Sequence, residues 1–187
     1  MLISEKFSSI RKIYKKCIGD AMKLDDRDIA LLSELQRDCR QGLRRISRKL
    51  GMSITTVHER IRKLEKEGII KGYKAILDAT KVGNPVIAFI FIRMQYYYPN
   101  SSEPLSQRDV AQKISMIPGV SEVHIIGGEW DILVKARARD LKEMGDFIID
   151  RLRKIKGIER TLTTHAWVTL KESPEINLKT ASVISKI

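Results

Sequence analysis

A chain of 187 residues with 35 Lys/Arg against 23 Asp/Glu, net +12, can build one large or two small cores and suits polyanionic partners. The charge is uneven: residues 1–77 hold 19 basic and 10 acidic side chains, net +9, whereas residues 78–187 hold 16 and 13, net +3. No apolar run approaches the about 18 residues of a spanning helix, the N-terminus lacks the apolar core of a secretory signal, and Cys17 and Cys39 form neither a metal-ligand spacing nor a disulfide framework, which fits a reducing cytoplasm.

In residues 1–22, Ile3, Phe7, Ile10, Tyr14 and Cys17 recur at spacings of four and three among Lys and Arg, a basic amphipathic helical pattern. Its readings are a dimer-bracing helix, an arm on the DNA backbone, or sequence ahead of a start at Met22. Asp25 caps a helix over about 26–37 with Ile29, Leu32 and Leu35 inward. A second helix covers about 43–50, burying Leu43, Ile46 and Leu50. Gly51 supplies a positive-φ turn. Ser53 caps a third helix, about 54–67, in which Val57, Ile61 and Leu64 form the buried stripe and Gly68 the stop.

Thr55, Thr56, His58, Glu59, Arg62 and Lys63 remain on the open face of that third helix. Such a face suits the major groove: the first turn reaches base edges and the later turns reach phosphates. Thr55, Thr56 and His58 are expected to read bases. Arg44, Arg45, Arg60, Arg62 and Lys63 are expected to hold phosphates, and Ser53 and Glu59 complete the DNA-facing set. Arg60 has an alternative use, an intramolecular pair with Glu34 or Asp38.

Ile69 to Asp78 reads as extended chain, either a short hairpin or wing or a linker closed by Gly83-Asn84-Pro85. Val86 to Met94 is almost continuously apolar and reads as a strand buried on both faces. Ser106 opens a helix with Val110, Ile114 and Ile117 inward. Val120–Ile126 and Asp131–Ala138 are strands around a Gly127-Gly128-Glu129-Trp130 turn. Asp140 opens a helix to about Arg153, and Ile158 to Leu170 is a long last strand. The order β-α-β-β-α-β predicts a ferredoxin-like sandwich. The fold class is therefore α+β: an N-terminal (winged) helix-turn-helix domain plus a C-terminal ferredoxin-like βαββαβ sandwich. The expected segments are an extension over 1–22, a DNA-binding domain over 23–68, a hairpin or linker over 69–85, an effector and oligomerisation domain over 86–172, and a tail over 173–187.

Two helices cover only one face of such a sheet. Ile87, Phe89 and Phe91 alternate with Val86, Ala88, Ile90 and Ile92, so the uncovered face also carries large apolar groups. A partner subunit is the simplest cover, and a homodimer at least is expected.

Four stretches carry a family resemblance: Leu24-Asp-Asp-Arg-Asp-Ile-Ala-Leu-Leu32, the helix-turn-helix running on through Arg60-Ile-Arg-Lys-Leu-Glu-Lys-Glu-Gly-Ile-Ile-Lys-Gly-Tyr73, Pro118-Gly119-Val120, and Gly128-Glu129-Trp130-Asp131. Across Leu24 to about Glu172 the chain resembles the Lrp/AsnC (feast-or-famine) transcription regulators of archaea and bacteria. The resemblance implies double-stranded DNA as partner, dimers that assemble further, and a small-molecule effector, usually an amino acid, at seams between C-terminal domains. Carried over by position, the effector turn is Gly127, Gly128, Glu129, Trp130 and Asp131. The family more often has Asp-Tyr where this chain has Glu129-Trp130, so the ring either contacts an ammonium group of a ligand or merely packs. The loop between Met94 and Ser106, with its three tyrosines, and the tail after Glu172 are additions to the pattern.

No phosphate-cradling loop, nucleophile elbow or zinc signature occurs, so no enzyme, metal or cofactor is expected. His124 and His165, on strands of one sheet, are the histidines with a chance to approach each other. Two alternatives share parts of the pattern: a DNA-compacting architectural protein, and the sirohaem decarboxylases, which resemble the family in both halves and use histidines to hold a tetrapyrrole.

Overall fold

The computed structural model describes residues 24–97 and 104–178. The amphipathic pattern of residues 1–22, Tyr98 in the inserted loop, and Val183, Ile184 and Ile187 lie outside the described residues. Described residues up to Lys74, together with those from Ser173 on, form one compact unit, and Ala75–Glu172 form another.

The first unit holds α1 (Asp26–Arg37), α2 (Leu43–Leu50) and α3 (Ile54–Lys66). Asp25 caps α1 reciprocally: its carboxylate accepts the Asp28 N–H at 2.7 Å, and the Asp28 carboxylate accepts the Asp25 N–H at 3.4 Å. Leu31, Leu32 and Leu35 of α1 meet Ile46, Met52, Val57 and Leu64 in the core, while Ile29 is only half-buried. The buried stripe of α1 is thus wider than a 29-32-35 row, because two helices pack on it and two adjacent positions must face inward. After Gly68, at φ 70°, the Ile69 and Ile70 amides turn back to Leu64 O at 2.9 and 3.1 Å, and residues 71–78 form no helix and pair with no strand among the described residues. Ile69 and Ile70 pack against the helical core as the chain leaves.

The second unit is a four-stranded antiparallel sheet in the order β2-β3-β1-β4, made of β1 (Val86–Met94), β2 (Val120–Ile125), β3 (Ile132–Ala138) and β4 (Ile158–His165). On one face Ala88, Ile90, Ile92, Ile132, Val134 and Ala136 pack under α4 (Gln107–Ser115) and α5 (Leu141–Asp146), the latter continuing as wider, π-helical turns over Phe147–Leu152. In that continuation the Arg153 N–H reaches back five residues to Ile148 O at 2.9 Å. On the other face the register aligns Leu133, Phe91 and Leu162 across three strands. Phe89 and Leu162 are 36% and 46% exposed there, so the uncovered apolar face expected from the alternation of β1 is present.

The last strand stops at His165, five residues short of the run to Leu170 read from the sequence. Its partner β1 begins at Val86, just after Pro85, which has no N–H to donate. One further bond, Ala166 N–H to Ile87 O at 3.0 Å, closes the ladder, and Trp167, Val168 and Leu170 then lie exposed.

One ion-pair cluster sets the position of α3 against α1. The Arg60 guanidinium donates to Asp25 at 2.7 Å and to Asp28 at 2.6 Å, and Asp28 is 3% exposed, the one buried charged residue among those described. Burial pushes the Asp25 carboxyl up, but the Asp28 amide and Arg60 more than offset this and hold it below its ordinary value. Both carboxylates, hydrogen bonds first, hold the Arg60 guanidinium above its own. A carboxylate depressed in the folded state adds stability above the ordinary carboxylate range and loses it as pH falls through the folded value. Arg60→Met should therefore cost about 1–3 kcal/mol at neutral pH, chiefly by leaving Asp28 buried without its cation. The part of that cost owed to Asp25, read by denaturant unfolding of the two proteins, should fade as pH falls through the lowered Asp25 value, narrowing the gap between about pH 5 and 3. A gap that stays constant through that window would assign the cost to packing instead.

Candidate nucleic-acid interface and effector turn

The turn between α2 and α3 is built by short local bonds. Gly51 sits at φ 62°, ψ 34°, a left-handed conformation that a Cβ would strain. Ser47 locks it from the helix side: its hydroxyl donates to Met52 O at 2.5 Å, and its carbonyl accepts the Met52 N–H at 3.1 Å. Ser53 caps α3 by accepting the Thr56 N–H at 3.0 Å, and its hydroxyl also lies 2.8 Å from that of Thr56. Ser47 was not singled out in the sequence, since a serine inside a helix is ordinarily a solvent-facing residue.

The structure places Thr55, His58, Glu59, Arg62 and Lys63 on one exposed face of α3, with Thr56 half-buried at its edge. Arg44 and Arg45 are exposed on α2. Ser53 and Thr56 are engaged with each other, so their hydroxyls meet a ligand only by sharing or breaking the cap. Arg60 departs from the expected phosphate contacts. Its guanidinium is held by Asp25 and Asp28, its side chain is 23% exposed, and it points to α1. The expected alternative partners, Glu34 and Asp38, are not the ones it takes: Glu34 pairs with Lys49 at 2.7 Å and with Arg37 at 2.5 Å. The reason is spacing on the helix: Asp25 and Asp28, one turn apart at the start of α1, bring two carboxylate oxygens within reach of the single Arg60 Nη1.

In the second unit the β2–β3 connection turns through Gly128, at φ 129°, with Gly127, Gly128 and Glu129 exposed. Asp131 is the anchor of this turn. Its N–H donates to Ile92 O at 2.9 Å, and its carbonyl accepts Ile126 N–H at 2.9 Å and Gln107 Nε2 at 2.9 Å. One carboxylate oxygen accepts the Met94 N–H and the other the Tyr96 hydroxyl, both at 2.7 Å. This bond to Asp131 raises the Tyr96 hydroxyl above its ordinary value. Trp130 lies on the open sheet face, its ring 6.1 Å from that of Phe91 and tilted by 52°, with the Arg160 guanidinium 5.7 Å over it. One cation is thus already on the indole. Tyr96, Gln107 and Arg160 were not singled out as site residues. Only the tertiary fold brings them to the turn, from just past β1, from the start of α4 and from β4, although Tyr96 lay within the noted tyrosine run. An open groove of about 600 Å³ is lined by Arg108, Gln112, Ser115 and the β2 residues Val123, His124 and Ile125, the last being where β2 enters the turn.

His124 and His165 do not approach each other. They stand on β2 and β4, the opposite edges of the sheet, and project from opposite faces. His124 instead meets Glu122 at 3.3 Å. Among the described residues no group of three or more His, Cys, Asp or Glu is placed to hold a metal ion, and no helix is long and apolar enough to cross a membrane.

Comparisons with known proteins agree with this geometry. Residues 24–71 match the family profile described as winged helix-turn-helix DNA-binding, and residues 87–176 match the Lrp/AsnC ligand binding domain. An HTH-type transcriptional regulator of Pyrococcus furiosus is 45% identical over 149 residues, 80% of this chain and 96% of that protein. An AsnC family transcriptional regulator from Agrobacterium tumefaciens superposes with a TM-score of 0.75 at 26% identity, covering 84% of this chain and 99% of that one. A transcriptional regulator from Neisseria meningitidis, solved in complex with L-Met, shares the fold with a TM-score of 0.76 at 24% identity, covering 85% and 99%. The chain belongs to the Lrp/AsnC family: it is a DNA-binding helix-turn-helix transcription regulator with archaeal relatives and a ligand-binding domain of that family.

Proposed function

We propose that this protein is a sequence-specific regulator that inserts α3 into the major groove as a homodimer or higher oligomer and is tuned by a small metabolite, an amino acid by class, at its sheet domains. The observation that carries the reading is the single exposed face of α3. It groups Thr55 and His58 near the N-terminal turn with Arg62 and Lys63 further along, while Val57 and Leu64 bury the opposite side. Short polar groups at the helix start suit base edges, and long cations suit the flanking phosphates.

A second copy is the cover we assign to the open sheet face, because Leu133, Phe91 and Leu162 form a continuous apolar row and Phe89 and Leu162 stand exposed. A twofold dimer presents two α3 helices to half-sites about one helical turn, or a multiple, apart. The metabolite reading rests on the ligand-binding domain and on the turn at Gly127, Gly128 and Glu129, whose backbone is open while Asp131 fixes its base. The neighbour solved with L-Met is a precedent for the ligand class.

Nuclease footprinting at fixed salt over the DNA upstream of the protein's own gene, with and without pooled amino acids, tests the whole reading. Discrete protection that shifts with the pool is the expected result, and uniform coverage at every concentration would replace it with DNA compaction. Changing Thr55, Thr56 and His58 together to Ala should flatten base preference by about 1–3 kcal/mol per lost contact. An unchanged footprint would remove α3 from base reading. Lys63→Ala should weaken all sequences alike and lower the slope of log affinity against log salt by about one, read by titration at several salt concentrations. Phe89→Glu should shift the sedimentation profile towards monomer, and an unaltered oligomer would place the interface elsewhere.

A further inference from the structure

Neither the DNA-facing surface nor the effector turn uses the C-terminal end of the described chain. The chain leaves the first unit at Lys74, builds Ala75–Glu172, and rejoins the first unit at Ser173. The last residue of the sheet unit, Glu172, is ion-paired to both Lys135 and Arg137, which are only 13% and 21% exposed. Four residues on, Ile176 exchanges two hydrogen bonds with one side chain of α1. The Ile176 N–H donates to Gln36 Oε1 at 2.8 Å, and Gln36 Nε2 donates to Ile176 O at 3.1 Å. The Gln36 amide therefore pairs with one peptide as a neighbouring strand would. Leu178 then packs against the core formed by α1, α2 and α3.

We infer that residues 173–178 are a clasp: the chain's own C-terminal segment docks on α1 and gives the sheet unit a second hold on the DNA-reading helix. The argument is one of constraint. The first hold is the irregular stretch after α3, which pairs with no strand among the described residues and is a single covalent connection. The second starts from a carboxylate seated between two cations and reaches α1 within six residues, at most about 20 Å of extended chain. The far end of α1 is joined to α3 through Asp25, Asp28 and Arg60. Two connections restrict a head more than one does, so the sheet unit gains a second route by which to bias the spacing of half-sites. A displacement of Glu172 by a ligand is then passed to α3 through α1 as well as through the linker.

The test compares the full chain with Gln36→Leu and with a chain ending at Glu172. Hydrogen exchange reads the clasp itself: the Ile176 amide should be protected in the full chain and lose protection in Gln36→Leu, and α1 should exchange faster in the truncated chain. DNA fragments carrying two half-sites at one, and at one and a half, helical turns read its consequence. The full chain should discriminate between the spacings, and both variants should lose roughly tenfold of that discrimination while keeping their affinity for a single half-site. Unchanged protection at Ile176 and α1 would overturn the docking. Lost protection with spacing discrimination intact would overturn the coupling and leave a contact that only stabilises. Protection that depends on protein concentration would place the clasp between copies and overturn the intramolecular assignment. The spacing readout rests on the DNA-binding reading above, whereas the exchange readout does not. Failure of the full chain to bind any half-site would therefore count against that reading, with the clasp judged on exchange alone.

Discussion

A four-stranded sheet with two helices on it has one dry face and one open face, and much of this protein's organisation follows from how the open face is composed. β1 is central, flanked by β3 and β4, and apolar on both sides. Its inward residues, Ala88, Ile90 and Ile92, are fully buried beneath α4 and α5. Its outward residues, Phe89 and Phe91, sit in a row with Leu133 and Leu162 that the chain itself leaves half-covered. Lys135 and Arg137 border that row and receive Glu172, which removes the cost of two uncompensated cations beside an apolar patch. Arg160 closes another part of it by lying over Trp130. What stays exposed of the apolar row is Phe89 and Leu162, bordered on the same face by Arg93, His124 and Thr164.

The DNA-binding unit solves a different problem, which is to hold a helix firmly while leaving one whole face of it free. Three short helices bury few side chains, and α3 contributes only Val57 and Leu64 as fully buried residues. Apolar packing alone would let it roll. Arg60 adds a directional restraint, because its Nη1 donates to two carboxylates at once, both fixed at the start of α1. The Ser47–Met52 and Ser53–Thr56 bonds fix the other end of the same helix. The side chains that hold α3 therefore lie on its inner side and at its N-terminal cap, and Thr55, His58, Arg62 and Lys63 are left free of structural duty by the bonds described.

The helices, their caps and the strand order were legible in the sequence because each rests on local chemistry. Asp25, Ser53 and Asp140 cap where a short polar side chain precedes an apolar repeat, and α1, α2 and β1 fall on the expected residues. The inner stripe of α3 was legible for the same reason. What periodicity does not encode is the partner of a long charged side chain. Arg60 lies on the flank of α3 between the DNA-facing and core-facing sides, and only the packing of α1 decides that it turns inward. The end of β4 is not legible locally, because a strand lasts only as long as its neighbour, and β1 begins only after Pro85. Tyr96, Gln107 and Arg160 converge on the β2–β3 turn through tertiary packing, from just past β1, from the start of α4 and from β4, with separations of tens of residues that no local pattern reports.

The Asp131 network narrows what the turn can recognise. Both carboxylate oxygens are occupied by short bonds from Met94 and Tyr96, and the carbonyl by Ile126 and Gln107, so Asp131 has little capacity left for a ligand ammonium. Trp130 has a guanidinium over its ring and Phe91 beside it, so a ligand cation would have to displace Arg160 or approach the opposite face. The groups left open at the turn are the backbone of Gly127 and Gly128 and the carboxylate of Glu129. Backbone N–H groups beside glycines favour a ligand carboxylate, and a mobile acid favours an ammonium. An amino acid presents both. In this chain Glu129 stays exposed at the turn, while Trp130 packs beside Phe91 and under Arg160 on the sheet surface.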